Sequence, residues 1–493
     1  MADLAALVLD KPDNGHGVET GVLGAPPLSY EWRLVVEILL PADDGSVVGA
    51  AVVGTDVVSD DVWTDITSMV AAFTVTDGLS DWGEHPQPST ANITLRPDDV
   101  YDLAAWRPLG TTGSPHRYKA GTPIRVVMND PGSGTVWQPL FTGEISQVAP
   151  QTAGRNAVEL VDISAVDTVS SRLPLAQITD IQLERGGGAF TPGPPDITDN
   201  VDTLLENADW PYGSVVDVQA DDSGNVFSLR SDTLVSGTTI QVLRMLGDAV
   251  GRQVSADRYG RLAFVRRRPQ LYTYSNATTP AADPNEPPAF TVDTSSDAVI
   301  ADSINPAGAD AYVNYVRAER VWKPGIYGGA TVDPDPVLPQ RLGSGSQTTV
   351  RWGYETVSTA TPIGGQDFDS PGWRTVEASD LKSQATYGRR SVVLSFDQIQ
   401  SLYGEFVAEQ LADNLVDIYA DDLWTVPLTL DKRELVKAIT CRVGAPATVD
   451  HEDATFTGTV ASVIYTMDGV VGDGIILDTD IIVHATSLER PTP

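Results

Sequence analysis

The 493-residue chain contains one cysteine, six lysines and no long apolar run, and each shortage removes a class of explanation. Cys441 alone cannot form a disulfide within the chain or supply a cysteine-built metal site. It lies in Ala438-Ile439-Thr440-Cys441-Arg442-Val443, which reads as a strand, and is expected to be a small buried hydrophobe. The longest smooth apolar run, Val47 to Gly54, falls far below the ~18 residues of a membrane-spanning helix. Met1-Ala2-Asp3-Leu4 opens with an acid and no Lys or Arg precedes Lys11, so the cationic start of a signal peptide is missing. The expectation is a protein made in the cytosol and carrying no membrane anchor.

Positive charge is scarce as a whole: 32 Lys+Arg face 67 Asp+Glu, for a formal net charge of -35. Duplex affinity rests on Lys and Arg neutralising phosphates, so this balance argues against a protein that holds nucleic acid. It argues equally against docking on anionic lipid. The excess of acid is either a soluble surface or a surface that repels a polyanion. The chain still carries 41% hydrophobic residues, enough for folded cores, and its length suits about three or four domains.

Pattern divides the chain in three. Residues 1–175 read as antiparallel strands, with Arg33 to Leu40 nearly continuous in β-type residues, Ala71 to Thr76 alternating before Asp77-Gly78, and further runs at 91–95, 124–128, 140–148 and 158–166. Asn129-Asp130-Pro131-Gly132 punctuates a hairpin. Residues 176–300 form a small α+β unit, entered through the linker Gly186-Gly187-Gly188 and Pro192-Gly193-Pro194-Pro195. Helices start at Asp199 and Thr239, and a hairpin runs from Gln253 to Phe264. In residues 301–493 strands return, at 312–321, 427–430, 439–443, 455–465 and 474–483, with a helix from Ile399 to about Tyr419 and a Gly/Pro-rich excursion at about 323–373.

The two β-rich ends echo each other in order. Ile93-Thr94-Leu95 matches Leu428-Thr429-Leu430, and Gly121-Thr122-Pro123-Ile124-Arg125-Val126 matches Gly444-Ala445-Pro446-Ala447-Thr448-Val449. Phe141-Thr142-Gly143-Glu144-Ile145-Ser146-Gln147-Val148 matches Phe456-Thr457-Gly458-Thr459-Val460-Ala461-Ser462-Val463. In the third pair the apolar phase slips between Ile145 and Val148 and again between Val460 and Val463. A glycine within such a strand marks a bulge or a sharp bend. The expected fold is mainly β with an α+β middle: two related barrels with Gly121, Pro123, Phe141 and Gly143 in one and Gly444, Pro446, Phe456 and Gly458 in the other.

These segments, with Val161 to Asp167, Leu204 to Pro211 and Asp257 to Arg268, resemble the minor tail proteins of actinobacterial phages. The 26 Arg against 6 Lys suit such a GC-rich source. The resemblance implies a baseplate hub of a long-tailed phage: a homotrimer in which each chain supplies two tail-tube-like β-barrels. Three chains then make a pseudo-sixfold ring that continues the tail tube around the DNA ejection channel. It also implies a virion location at the tail tip after assembly in the host cytoplasm. The implied partners are tail tube proteins, the tape-measure protein and other tail-tip or receptor-binding proteins, with DNA only as transient cargo. The excursion at 323–373 keeps open the alternative of a receptor- or glycan-binding tip protein.

No chemistry-bearing constellation emerges. His16, His85, His116, His451 and His484 are scattered and read as loop or surface residues, and Gly343-Ser344-Gly345-Ser346 lacks the nucleophile elbow. Paired acids at 98–99, 221–222 and 421–422 are expected among 67 acids without function. The acidic loops Asp283 to Glu286 and Asp333 to Asp335 leave calcium binding open, although neither matches an EF-hand loop. Arg266-Arg267-Arg268 is expected to pair with acids of a neighbouring subunit. No catalytic residue, metal ligand or cofactor site is assigned.

Overall fold

The computed structural model describes residues 33–40, 62–78, 86–96, 120–129, 137–153, 157–184, 197–217, 229, 233–267, 287–301, 303–308, 311–322, 341–342, 347–354, 373–396, 399, 404–421, 423–431, 434–468 and 477–489. The N-terminal strands are β1 (Arg33–Leu40), β2 (Val62–Asp65), β3 (Val70–Gly78), β4 (Thr90–Leu95), β5 (Pro123–Asn129), β6 (Trp137–Ala153) and β7 (Ala157–Asp167). There follow helix α1 (Thr168–Arg172), β8 (Gln177–Leu183), α2 (Ile197–Asn207), β9 (Ser214–Val216), β10 (Thr233–Thr238), α3 (Thr239–Val250), β11 (Arg252–Ala256) and β12 (Leu262–Arg266). Next come β13 (Phe290–Asp293), β14 (Val299–Ala301), β15 (Asn305–Pro306), β16 (Tyr315–Trp322), β17 (Arg341–Leu342), β18 (Gln347–Tyr354), β19 (Trp373–Asp380), α4 (Leu381–Tyr387), β20 (Ser391–Ser395) and α5 (Gly404–Tyr419). The chain continues through β21 (Trp424–Leu430), α6 (Leu435–Thr440), β22 (Pro446–His451), β23 (Ala454–Asp468) and β24 (Leu477–Glu489).

One mixed but chiefly antiparallel sheet takes strands from both ends of the chain, in the order β14-β21-β24-β23-β3-β4-β7-β6-β5-β1-β2, with β13, β15 and β22 joined at its side. The N- and C-terminal strands meet where β23 pairs β3, from Ser462 opposite Gly78 to Asp468 opposite Ala72. Among the described residues this sheet does not close on itself, and β2 and β14 stand at its ends. Strict alternation puts Phe73, Ile93, Ile163, Leu428, Val463 and Ile481 into one shared core. Each such side chain contributes about 1.5–3 kcal/mol by leaving water.

A second core lies beside it, built from α2, α3, α5 and the smaller sheets, with Leu243, Leu246, Phe264, Val376, Leu411 and Leu415 fully buried. Its residues come from both sides of position 300: the segments from Val169 to Phe264 and from Tyr312 to Leu423 pack together. The α3 helix shows why the middle folds as read. The Thr238 hydroxyl accepts from the Gln241 amide and the Gln241 side chain accepts from the Thr238 amide, a capping box ahead of the buried Ile240, Leu243, Leu246 and Val250.

Four local expectations change. Residues 438–440 end helix α6 rather than forming a strand: the Tyr465 hydroxyl donates to the Ala438 carbonyl, and Arg258 to those of Ile439 and Cys441, so the helix end is capped from outside. Cys441 is buried, as a small hydrophobe would be. Arg266 and Arg267 pair with Asp217 and Asp248 of their own chain, not with a neighbour, and Arg268 lies outside the described residues. His451 and His484 sit on strands, half-buried, with His451 against the Thr294 hydroxyl at 2.9 Å. The other histidines lie outside the described residues. Within the expected 323–373 excursion, β17 and β18 join β19, β16 and β20 in a five-stranded sheet.

Candidate assembly site on the large sheet

The eight echo positions fall on equivalent places in the sheet. Gly121 and Gly444 each precede the strand whose partner carries Phe141 or Phe456, and both have positive φ, 84° and 80°. The Gly121 amide donates to Ile145 O at 2.8 Å and the Gly444 amide to Val460 O at 2.8 Å, and the return bonds, Ile145 N to Thr122 O and Val460 N to Ala445 O, are both 2.9 Å. Ile124 faces Gly143 and Val126 faces Phe141 across β5 and β6, as Ala447 faces Gly458 and Val449 faces Phe456 across β22 and β23. Pro123 and Pro446 open the paired runs, where a missing amide hydrogen is tolerated.

The reason for glycine at 143 and 458 is the same in both places. A Cβ on Gly143 would lie 2.3 Å from the Val166 carbonyl oxygen, and one on Gly458 would lie 2.0 Å from the His484 carbonyl oxygen. Val166 and His484 hold corresponding places on β7 and β24. Each ladder then slips by one residue, between Ile145 and Gln147 and between Val460 and Ser462, which keeps Val148 and Val463 on the core side. Beyond the slip the strands match again: Thr94 donates to Asp162 at 2.8 Å on one half and Thr429 to Asp480 at 2.7 Å on the other. Sequence reading found the echo but missed this Thr–Asp pair, whose signal lay in the threonine of each Ile/Leu-Thr-Leu triplet.

The sheet face opposite the core carries polar side chains in both halves, with Ile464, Ile482 and Ile300 among them. Asn92, Thr94, Asp162 and Ser164 share it with Thr74 and Thr76. Across the β3–β23 seam it continues through Thr466, Asp478, Asp480 and Thr429. The eight strands from β14 to β6 contain no Lys or Arg but nine Asp or Glu. Without cations, this face offers phosphates no charge to neutralise them.

The tip of the β11–β12 hairpin ties the second core to this sheet. Arg258, 9% exposed, donates to Ile439 O at 3.1 Å, to Cys441 O at 2.6 Å and to the Tyr465 hydroxyl at 2.7 Å, with its guanidinium over the Tyr465 ring. The Gly260 carbonyl accepts from Thr168 at 2.6 Å. Burial pushes the Cys441 thiol up to about 12, so it stays protonated and inert. Burial also lifts Asp167 to about 6, against hydrogen bonds from the Ser170 and Ser89 amides that favour its charge. A cleft of about 310 Å³ beside the hairpin is lined by Asp77, Phe141, Arg258, Tyr259 and Arg442. Among the described residues no group of three or more His, Cys, Asp or Glu could hold a metal ion, and no described helix is long and apolar enough to cross a membrane.

No family model and no curated protein matches the sequence. Among solved structures, the chain is similar to the tail protein from Neisseria meningitidis MC58, at 12% identity and a TM-score of 0.46, covering 92% of this chain and 97% of that one. It is also similar to the 43 kDa tail protein of prophage MuSo2 from Shewanella oneidensis, at 10% identity and a TM-score of 0.46, covering 93% and 100%. A third likeness, at 8% identity and a TM-score of 0.40, covers 86% of this chain and 76% of an E. coli type VI secretion component that itself exhibits similarity to T4 bacteriophage tail proteins.

Proposed function

We propose that the chain is a structural protein of a phage tail tip: a hub whose three copies form a pseudo-sixfold ring that continues the tail tube and encloses the DNA ejection channel. The observation that carries this reading is the cation-free polar face running across both halves of the large sheet. On this reading the two matched strand sets are tube-like repeats, one from residues 33–167 and one from 290–306 and 424–489. The α+β body made of 168–267 and 311–423 is inserted between and within them. Each barrel is open in the single chain and is completed in the ring. Tail tube proteins, the tape-measure protein and other tip proteins are its partners, DNA is only cargo, and the chain performs no catalysis.

The dimensions suit the role. Eight strands per chain in three copies give about 24 strands, and at ~4.8 Å spacing and the ~40° tilt that closure requires these close at roughly 48 Å from backbone to backbone. Inward side chains take about 5 Å on each side, which leaves on the order of 38 Å, room for a DNA duplex. Cryo-electron microscopy of the assembled protein tests the proposal: a threefold ring is expected with Asp162 and Asp480 facing the lumen. A monomer, or a ring with that face turned outward, refutes it.

A further inference from the structure

The joint between the two halves of the sheet occurs once within the chain, and the parts for a second joint are left over. Along one edge, β23 carries two partners: β22 on Ala454 to Thr459, and β3 on Ser462 to Asp468. Its counterpart β6 carries β5 on Trp137 to Glu144, but among the described residues no strand lies on that edge from Gln147 onward, where only β7 pairs it from the other side. At the far end of the sheet, β14 and β15 pair β21 as β3 pairs β4: Val299 lies opposite Leu430 as Val70 lies opposite Leu95. Yet β3 has β23 on its outer edge, and among the described residues β14 has no strand there.

From this asymmetry we propose that the β14–β15 edge of one chain pairs antiparallel with the Gln147–Gln151 edge of β6 of a second copy, repeating the β3–β23 joint between chains. This rests on the ring reading and names the surfaces that build it. Three observations on the chain favour a second copy as the occupant. Open strand edges bind other strands through their amide and carbonyl rows. The two edges are different surfaces, so a contact between them is head-to-tail and can close a ring. Ile300 on β14 is 59% exposed at the place where Ala72 of β3 faces Asp468. The internal register transfers directly: Ile464 opposite Thr76 becomes Ala149 opposite Asn305 of the neighbour. Pro150 and Pro306 both lack an amide hydrogen, and the bond from the Ala307 amide to the Leu423 carbonyl turns the Pro306 nitrogen to the open edge, so the joint between chains is up to two donors poorer than the internal joint.

Cysteines placed at such an opposed pair lie within disulfide reach, and the buried Cys441 does not compete. The experiment oxidises the full-length Ala149→Cys/Asn305→Cys double variant and runs it without reductant beside each single variant. A ladder ending at a covalent trimer, seen only with the double variant and reversed by reductant, is the expected result. Native mass spectrometry of the unmodified protein separates the two proposals. A trimer without crosslinks overturns this joint and leaves the ring, whereas a monomer overturns both. Should the double variant fail to fold, hydrogen exchange of the unmodified protein decides. The amide hydrogens within 147–151 that point away from β7 are expected to be protected in the trimer and to exchange fast in dilute monomer, whereas those bonded to β7 are protected in both. Fast exchange of the outward amides in the trimer, or their protection in the monomer, overturns the joint.

Discussion

Replacing Gly458 by alanine asks the sheet to admit a methyl group where a neighbouring strand's backbone already lies. The added carbon would stand 2.0 Å from the His484 carbonyl oxygen and 2.5 Å from the Ala485 Cα, where ordinary contacts are about 3.5–4 Å. To relieve this, β24 must withdraw by more than 1 Å, but β21 holds it along its other edge from Trp424 to Leu430. Overpacking alone costs about 1–3 kcal/mol, and breaking two ladder bonds adds about 1 kcal/mol each, so Gly458→Ala should cost roughly 3–5 kcal/mol. Gly143→Ala meets the Val166 carbonyl and the Phe141 ring and belongs in the same range. Gly121→Ala meets no atom within 4 Å and carries only the penalty of positive φ, about 1–2 kcal/mol. Urea unfolding of the three variants should separate them by midpoint at unchanged slope. If Gly458→Ala costs no more than Gly121→Ala, close strand approach is not what selects glycine in the echo.

Arg258→Leu should lower stability by about 3–5 kcal/mol, because it strips hydrogen bonds from two buried carbonyls and the Tyr465 hydroxyl. It should also split one denaturation transition into two as the cores uncouple, which calorimetry detects. The Asp167 carboxyl, lifted to about 6 from an unfolded value near 3.8, favours folding when protonated: its contribution is full below about 3.8 and lost as pH rises through about 6. Going from pH 7 to pH 5 should therefore stabilise the protein by about 1 kcal/mol more than it stabilises Asp167→Asn, measured by denaturant titration at both pH values. Asp162→Lys/Asp480→Lys should bind short duplex DNA in a fluorescence polarisation assay with affinity falling steeply in salt, while the parent does not bind. Equal behaviour of the two would detach the polar face from any passage of DNA.

The echo was legible in the sequence because backbone geometry dictated it: only glycine tolerates a carbonyl 2.0–2.3 Å from its would-be Cβ, so the two halves had to keep it. Helix α6 was not legible. Ala438-Ile439-Thr440 carries two β-branched residues, and the groups that cap its carbonyls, Arg258 and Tyr465, lie far away in sequence. Arg266 finds Asp217 49 residues upstream, a pairing no local pattern encodes. The join of 312–423 to the central helices escaped for a related reason, since helical spacing shows which face of α5 is buried but not which core receives it.

A net charge of -35 does not by itself make an acidic channel, and the position of the charges matters more than their sum. The described face places Asp162, Asp478 and Asp480 among threonines, serines, Asn92, Ile464 and Ile482, which is a sparse set of acids. At physiological ionic strength each carboxylate is screened within about 8 Å, so repulsion from so few would be felt only close to the wall. The stronger constraint is the missing cations. The eight strands would hold about five Lys or Arg at the chain's average frequency, and they hold none, while β5 and β1, which extend the same sheet beyond β6, carry arginine. A single phosphate contact to Lys or Arg releases condensed counterions and slows a sliding duplex, and repeated around a threefold ring it would be felt three times at each level. On the proposed reading, the composition of the wall is therefore selected against adhesion first and for repulsion second, which is why placing lysine there should do more than removing aspartate.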